Sequence, residues 1–304
     1  MAGAHLQEII NKCLSDEAWC RQIFLWSHGY ALNLDSPETL NEKIQWLKLY
    51  NREPHLTTWV DKHKVRDQIS ELFGETYLIP LLAAADDLAE IDFAALPTPF
   101  IIKPNHLSGR VKIVRETEGV YWPSIIKEAR RWLKGNYFQT GREWQYKNIL
   151  AQIIVEKLLI DEEGNIPLDY KFHCIHGDVV AIQVDIDRET DHRRNFYDKY
   201  WRKLPFYWSV YAGEHPLWPH GRDIDQPDVL AELIAMTEKL ADQFCYVRVD
   251  WYVVKDRIYF GEVTFHHGGG FEQIRPREWD KKLGAMLTLP DLPLKARRAG
   301  SSIR

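Results

Sequence analysis

The stretch Arg248-Val249-Asp250-Trp251-Tyr252-Val253-Val254, Lys255-Asp256, Arg257-Ile258-Tyr259-Phe260-Gly261-Glu262-Val263-Thr264 reads as two strands joined by a two-residue turn. So short a connection puts Asp250 and Glu262 on neighbouring strands. Side chains alternate with period two, so Arg248 shares a face with Asp250, and Glu262 shares one with Thr264. Two hard oxygen donors on a rigid sheet suit Mg²⁺, which takes one or two carboxylates and completes its shell with substrate phosphates. The bland alternative is a charged, solvated sheet face.

Working outward, Asp169 to His176 and Val179 to Asp187 form a second hairpin around Gly177-Asp178. Lys171 lies on its first strand and Arg188 at the end of its second. Two cations side by side repel unless an anion lies between them. A phosphate would serve, and so would ordinary pairing with Asp185, Asp187 or Glu189. Ile153 to Leu159 is an apolar strand broken by Glu156 and Lys157. It is either a buried strand or the wall of an adenine pocket whose backbone reads the purine edge. Phe100 to Pro104 is a strand carrying Lys103. The turn-rich loop Asn105-His106-Leu107-Ser108-Gly109-Arg110 follows, suited to holding phosphate oxygens on backbone N–H groups.

Toward the N-terminus the pattern is helical. Leu40, Ile44, Leu47 and Leu49 recur near helical spacing. Ser36-Pro37 offers an N-cap, with Thr39 and Glu42 as a tighter capping pair. Asp61 to Phe73 reads as a second helix closed by Gly74. Tyr77 to Leu82 reads as a short strand, Pro123 to Leu133 and Val229 to Phe244 as helices. Hairpins interrupted by helices make an α+β chain, without the strict alternation of a Rossmann sheet. There is no Walker A motif and no GxGxxG.

The chain has 304 residues, with 39 Lys and Arg against 44 Asp and Glu, a net charge of −5. That balance argues against a nucleic-acid partner. No apolar run reaches the roughly 18–20 residues of a membrane helix. Met1 to Cys13 lacks the basic-then-apolar pattern of a secretory signal. Four cysteines without CxxC pairing fit reduced thiols in the cytoplasm. His173, Cys174, His176, His266 and His267 match no structural zinc spacing. Residues 196–220 hold nine aromatics. They read as a sugar platform, with Trp201 and Trp208 as its rings, or as a loop held down by its own aromatics.

Taken in order, these pieces resemble the TupA-like ATP-grasp family, named for teichuronopeptide biosynthesis. The resemblance runs from about Ser36 to Leu287. It rests on Ser36-Pro37-Glu38-Thr39-Leu40-Asn41-Glu42-Lys43-Ile44-Gln45-Trp46-Leu47, Asp61-Lys62 with Val65-Arg66, Lys103-Pro104-Asn105-His106, Asp169-Tyr170-Lys171-Phe172-His173, Arg248-Val249-Asp250 and Phe260-Gly261-Glu262-Val263-Thr264-Phe265.

The resemblance implies two α+β subdomains clasping ATP, preceded by a short helical segment rather than a full Rossmann-like domain. It implies four parts: a helical segment at 1–60, a lid subdomain at 61–155, a core subdomain with the metal site at 156–294, and a basic tail at 295–304. The implied cofactors are ATP and Mg²⁺. Lys62 and Lys103 would contact phosphates, and Asn105, Ser108 and Gly109 would form the phosphate loop. Glu156, Lys157 and Leu158 would form the adenine hinge, and Asp169 would meet the ribose. Lys171, Arg188 and Arg248 would steady the reacting groups. Asp250 and Glu262 would hold the metal. Thr264 stands where such enzymes commonly carry Asn, and offers a hydroxyl or a water-mediated contact. His266 joins Trp201 and Trp208 as a candidate substrate contact. The implied reaction is ligation of a carboxylate to an amine through an acylphosphate. The family name suggests amidation of a uronic-acid-containing cell-surface polysaccharide, such as a capsule, or its precursor. A sugar kinase and a non-catalytic nucleotide-binding module are the alternatives. A homodimer is compatible with the family.

Overall fold

A computed structural model describes residues 14–188 and 190–291. The expected tail at 295–304, and residues 1–13, lie outside them. Four helices come first: α1 (Asp16–His28), α2 (Leu40–Tyr50), α3 (His55–Val60) and α4 (Val65–Phe73). Strands β1 (Leu81–Ala85), β2 (Phe100–Pro104), β3 (Lys112–Val114) and β4 (Ile153–Lys157) form an antiparallel sheet ordered β1-β4-β2-β3. Helices α5 (Trp122–Leu133) and α6 (Phe138–Gly141) lie between β3 and β4 in the chain. Next come β5 (Asp169–Ile175), β6 (Asp178–Ile186), β7 (Arg193–Tyr197), β8 (Tyr207–Ser209), β9 (Tyr211–Ala212), β10 (His215–Pro216) and α7 (Leu230–Ala241). Strands β11 (Tyr246–Val254), β12 (Arg257–Thr264) and β13 (Gln273–Arg275), then α8 (Arg277–Met286), complete the described chain. The second large sheet is ordered β12-β11-β5-β6-β7. The fold is α+β, as the sequence pattern predicts.

Alternation decides what each face of this second sheet does. Tyr170, Phe172, Cys174, Val247, Val249 and Trp251 point one way and pack with Leu233 and Leu240 of α7 in one buried cluster. Each such side chain contributes about 1.5–3 kcal/mol when removed from water. Asp169, Lys171, His173, Arg248 and Asp250 therefore point the other way, on the opposite face of the sheet.

Several element ends differ from expectation. Helix α2 is capped by Thr39, not Ser36: Thr39 Oγ1 accepts from Glu42 N at 3.2 Å, and Glu42 Oε2 accepts from Thr39 N at 3.0 Å. The helix expected from Asp61 begins at Val65, because Asp61 Oδ1 ties down a turn by accepting from His63 N. Lys62 thus sits on that turn. The strand expected from Tyr77 starts at Leu81. The β5–β6 turn is His176-Gly177, with φ of 50° and 85°, and Asp178 already belongs to β6. The expected boundary after residue 155 falls inside β4, which stays paired in the first sheet as far as Lys157.

The two ends of the described chain are stitched together. Asn41 N donates to Asp280 Oδ1 at 3.0 Å, and Lys43 Nζ donates to the carbonyls of Gly284 and Leu287. A Cβ at Gly284 would meet Glu38 O at 2.2 Å, so only glycine lets α8 approach this closely. Gln45 Nε2 and the fully buried Lys48 Nζ donate to Gly269 O at 2.8 and 2.7 Å. Helix α2 thereby holds the loop that follows β12.

Candidate active site

Cross-strand register gathers the charged groups. Asp250 stands opposite Glu262 on β12 and opposite Lys171 on β5, while Arg248 stands opposite Thr264 and His173. Arg248 is the hub. Its Nε and Nη2 donate to the two carboxylate oxygens of Asp250 at 2.6 and 2.7 Å. Nη2 also reaches Glu262 Oε1 at 2.8 Å, and Nη1 donates to His267 Nδ1 at 2.7 Å. Lys171 Nζ donates to Asp169 and, at 3.2 Å, to Asp250 Oδ2. Arg188 Nη1 reaches Asp169 Oδ2 at 2.9 Å. The anion between Lys171 and Arg188 is therefore Asp169, the protein's own carboxylate.

Buried charges cost several kcal/mol each unless paired, so this face depends on its mutual contacts. Burial works to raise the Glu262 carboxyl, but Lys62, Arg248, Lys171 and Lys103 outweigh it and hold it at about 2. Burial alone would lower the Lys171 ammonium; Asp169 and Asp250 more than offset this and keep it above its ordinary value. Both groups are charged at neutral pH.

The first sheet brings the remaining cations. Lys62 links the loop after β2 to β12. Its N–H donates to Asn105 O, and its Nζ donates to Leu107 O at 3.0 Å and lies 3.9 Å from Glu262 Oε2. Lys103 Nζ pairs with Glu156 Oε2 at 2.6 Å, and Arg66 Nη1 with Glu156 Oε1 at 3.1 Å. Ser108 and Gly109 form an exposed loop tip, with Gly109 at φ 68°. Asn105 is buried; its side chain bonds to Asp61 Oδ1, Leu150 O and Gln152 N. It anchors the loop rather than offering a group to a phosphate.

Four expectations need correction. Strand β4 is paired on both edges, and the N–H groups of Lys157 and Leu158 donate to Pro80 O and Pro99 O. Those donors are not open to a purine, and the Glu156 side chain is a partner for cations. Trp208 is 1% exposed and packs against His173 and His267, with ring centroids 4.5 Å from each. It offers no face to a sugar. Trp201 stacks on Tyr197 at 4.4 Å and packs with the apolar side of the sheet, away from the charged face. His266 is 3% exposed, and its Nδ1 bonds to Gln145 Nε2 at 3.0 Å. Residues 196–220 are mostly a segment held down by its own aromatics.

Residues 42–288 match the family model described as TupA-like ATPgrasp. The chain belongs to the TupA-like ATP-grasp family. Its fold is ATP-grasp, and membership supports ATP-dependent ligation as its general chemistry. No curated protein matches the sequence significantly. Among solved structures, this TupA-like chain is similar to D-alanine–D-alanine ligase from Bacillus anthracis complexed with ATP. The TM-score there is 0.43 and the identity 13%, over 81% of this chain and 68% of that one. It is also similar to the L-amino acid ligase from Bacillus licheniformis, with TM-score 0.40, 15% identity, and 84% and 54% coverage. A third likeness is to the ATP-grasp ligase PsnB complexed with minimal precursor, with TM-score 0.39, 12% identity, and 71% and 55% coverage. The TupA-like chain spans little more than half the length of the last two.

Three residues at this face have no signal in local sequence: Arg194, Glu272 and His267 as a partner of Arg248. Arg194 Nε pairs with Asp185 Oδ1 at 2.9 Å and its Nη1 with Glu272 Oε2 at 2.8 Å. Only its alternation on β7 hints at its direction. Among the described residues no group of three or more His, Cys, Asp or Glu forms a metal cage. Asp250 and Glu262 nonetheless turn oxygens toward one guanidinium, so their lone pairs converge. Two converging carboxylates fit Mg²⁺ shared with substrate phosphates. Among the described residues, no helix is long and apolar enough to cross a membrane.

Proposed function

We propose that this chain is an ADP-forming carboxylate–amine ligase acting on a uronic-acid-containing cell-surface polysaccharide or its precursor, with an amino acid or another amine as the second substrate. The substrate class follows the family's name, and one observation supports the phosphoryl chemistry: Lys62, Lys171 and Arg248 converge with Asp250 and Glu262 on a single sheet face. Phosphoryl transfer to a carboxylate asks for little covalent chemistry from a protein. It asks for positioning and for neutralised charge.

A substrate carboxylate oxygen attacks the γ-phosphorus of ATP, and the bond to the bridging oxygen breaks to release ADP. The amine then attacks the acyl carbon. The carbon–oxygen bond breaks, phosphate departs, and the amine's proton passes to solvent. Lys62 and Lys103 hold the phosphates, and Ser108 and Gly109 close over them. Lys171, Arg188 and Arg248 offset the negative charge that gathers on the transferring group. Asp250 and Glu262, with the Thr264 hydroxyl beside Glu262, would hold Mg²⁺. The ion would supply Lewis-acid neutralisation of the phosphate oxygens.

The reading is tested by ADP release from Mg·ATP with uronic acids, in the presence and absence of amino acids. ADP and an amide product that appear only with both partners support the ligase. ADP with a stable phosphorylated sugar, formed without an amine, sinks it in favour of a kinase. Failure to bind ATP would leave a non-catalytic module.

A further inference from the structure

We propose that His267 is a positioning residue for Arg248. Its imidazole, packed against Glu272, keeps the guanidinium in place when Asp250 and Glu262 turn to a divalent cation. The proposal rests on the ligase reading above.

Arg248 has four close acceptors: Asp250 Oδ1, Asp250 Oδ2, Glu262 Oε1 and His267 Nδ1. Three are carboxylate oxygens, the donors that Mg²⁺ takes. The fourth is a nitrogen that such a cation leaves alone. A guanidinium only donates, so His267 Nδ1 must present a bare lone pair, and the ring proton sits on Nε2. Nε2 lies 3.1 Å from Glu272 Oε2, out of line for a hydrogen bond. Glu272 is held in turn by Arg194, which also donates to Trp208 O at 2.8 Å. The imidazole is clamped edge-to-face by His173 at 4.8 Å and by Trp208.

The loop is shaped for this contact. A Cβ at Gly268 would lie 2.5 Å from Glu272 Cγ, so a larger residue would push Glu272 off the ring. Lys48 and Gln45 of α2 fix the next carbonyl. Burial lowers the His267 pKa to about 4 despite the pull of Glu272, so the ring is neutral at pH 7. A protonated ring would set an N–H against the guanidinium.

The test compares wild type with His267→Phe, His267→Asn and Glu272→Gln. Nitrogen-15 NMR of the resting protein should show an unprotonated Nδ1 and a protonated Nε2. With Mg·ADP bound, the Arg248 Nε–H resonance, assigned with Arg248→Lys, should resist solvent exchange in wild type and exchange faster in His267→Phe. In turnover, His267→Phe should lose roughly 10–100-fold in kcat, the usual cost of removing a group that orients a site ligand. KM for ATP should hold within about twofold, because ground-state binding is untouched. His267→Asn keeps an acceptor near the Nδ1 position and should recover most of the loss. A protonated Nδ1 overturns the proposal. So does unchanged Arg248 exchange, or an Asn variant as impaired as the Phe one. Should His267→Phe fail to fold, the tautomer and the Glu272→Gln exchange rate still decide. The NMR readings need no turnover, so an inactive wild type would defeat the ligase reading without deciding this one.

Discussion

Lys103 Nζ lies 2.6 Å from Glu156 Oε2, across the neighbouring strands β2 and β4. Arg66 shares the same carboxylate. Glu156 is 4% exposed, so its removal leaves two cations facing each other with little water. Glu156→Gln should lower the unfolding free energy by about 3 kcal/mol in urea denaturation. A loss below about 1 kcal/mol would mean that the carboxylate is not the anchor of this corner.

Asp250 is bonded by both Arg248 and Lys171. Asp250→Asn keeps the shape but withdraws the charge that holds both cations. We expect kcat to fall by about 10²–10³-fold, the scale of losing one electrostatic contributor in a dry site. Titration of Mg·ADP by calorimetry should show weakened binding in the same variant. Unchanged affinity would place the metal elsewhere.

Asp280 gives the pH dependence an unusual sign. Burial pushes its carboxyl from 3.8 up to about 6, against the hydrogen bonds from Asn41. An acid whose folded pKa is raised favours the fold while protonated. That contribution is present below the unfolded value and is lost as pH climbs through about 6. Two units correspond to about 3 kcal/mol. Wild type should therefore lose stability relative to Asp280→Asn between about pH 4 and 6, in paired urea melts. Parallel curves would show that Asp280 titrates normally.

Trp208 separates packing from recognition. It packs against both His173 and His267, which also touch each other. Trp208→Ala should cost about 3–5 kcal/mol of stability, as large-to-small changes in a core do. A stable variant with a raised KM for the sugar would restore the platform reading.

The β11–β12 hairpin was legible because everything that defines it is local. Alternation sets the faces, and Lys255 and Asp256 adopt φ of 50° and 60°, as a tight hairpin turn needs. Asp250, Glu262 and Arg248 followed from that register. What pairs with Lys171 was not legible, because local sequence does not rank Asp169, two residues away, against Asp185, Asp187 and Glu189, fourteen to eighteen residues on. The backbone donors of Lys157 and Leu158 looked open because the strands on either side of β4 come from distant segments. Aromatic density at 196–220 reads alike whether rings line a cleft or fill a core. Glu272 meets His267 only through the bend at Gly268 and Gly269, which no periodicity announces.

The stitching of α2 to the loop after β12 and to α8 bears on how the protein is made. Asn41, Gln45 and Lys48 leave the ribosome more than two hundred residues ahead of Gly269 and Asp280. At about 5–20 residues per second, that helix waits on the order of 10–50 s for its partners. Lys48, whose amine is fully buried in the finished protein, stays solvated until then. The loop carrying His267 can be fastened to α2 only after more than two hundred further residues have been synthesised. Nascent or prematurely terminated chains would thus carry Lys62 and Lys103 without an assembled catalytic face.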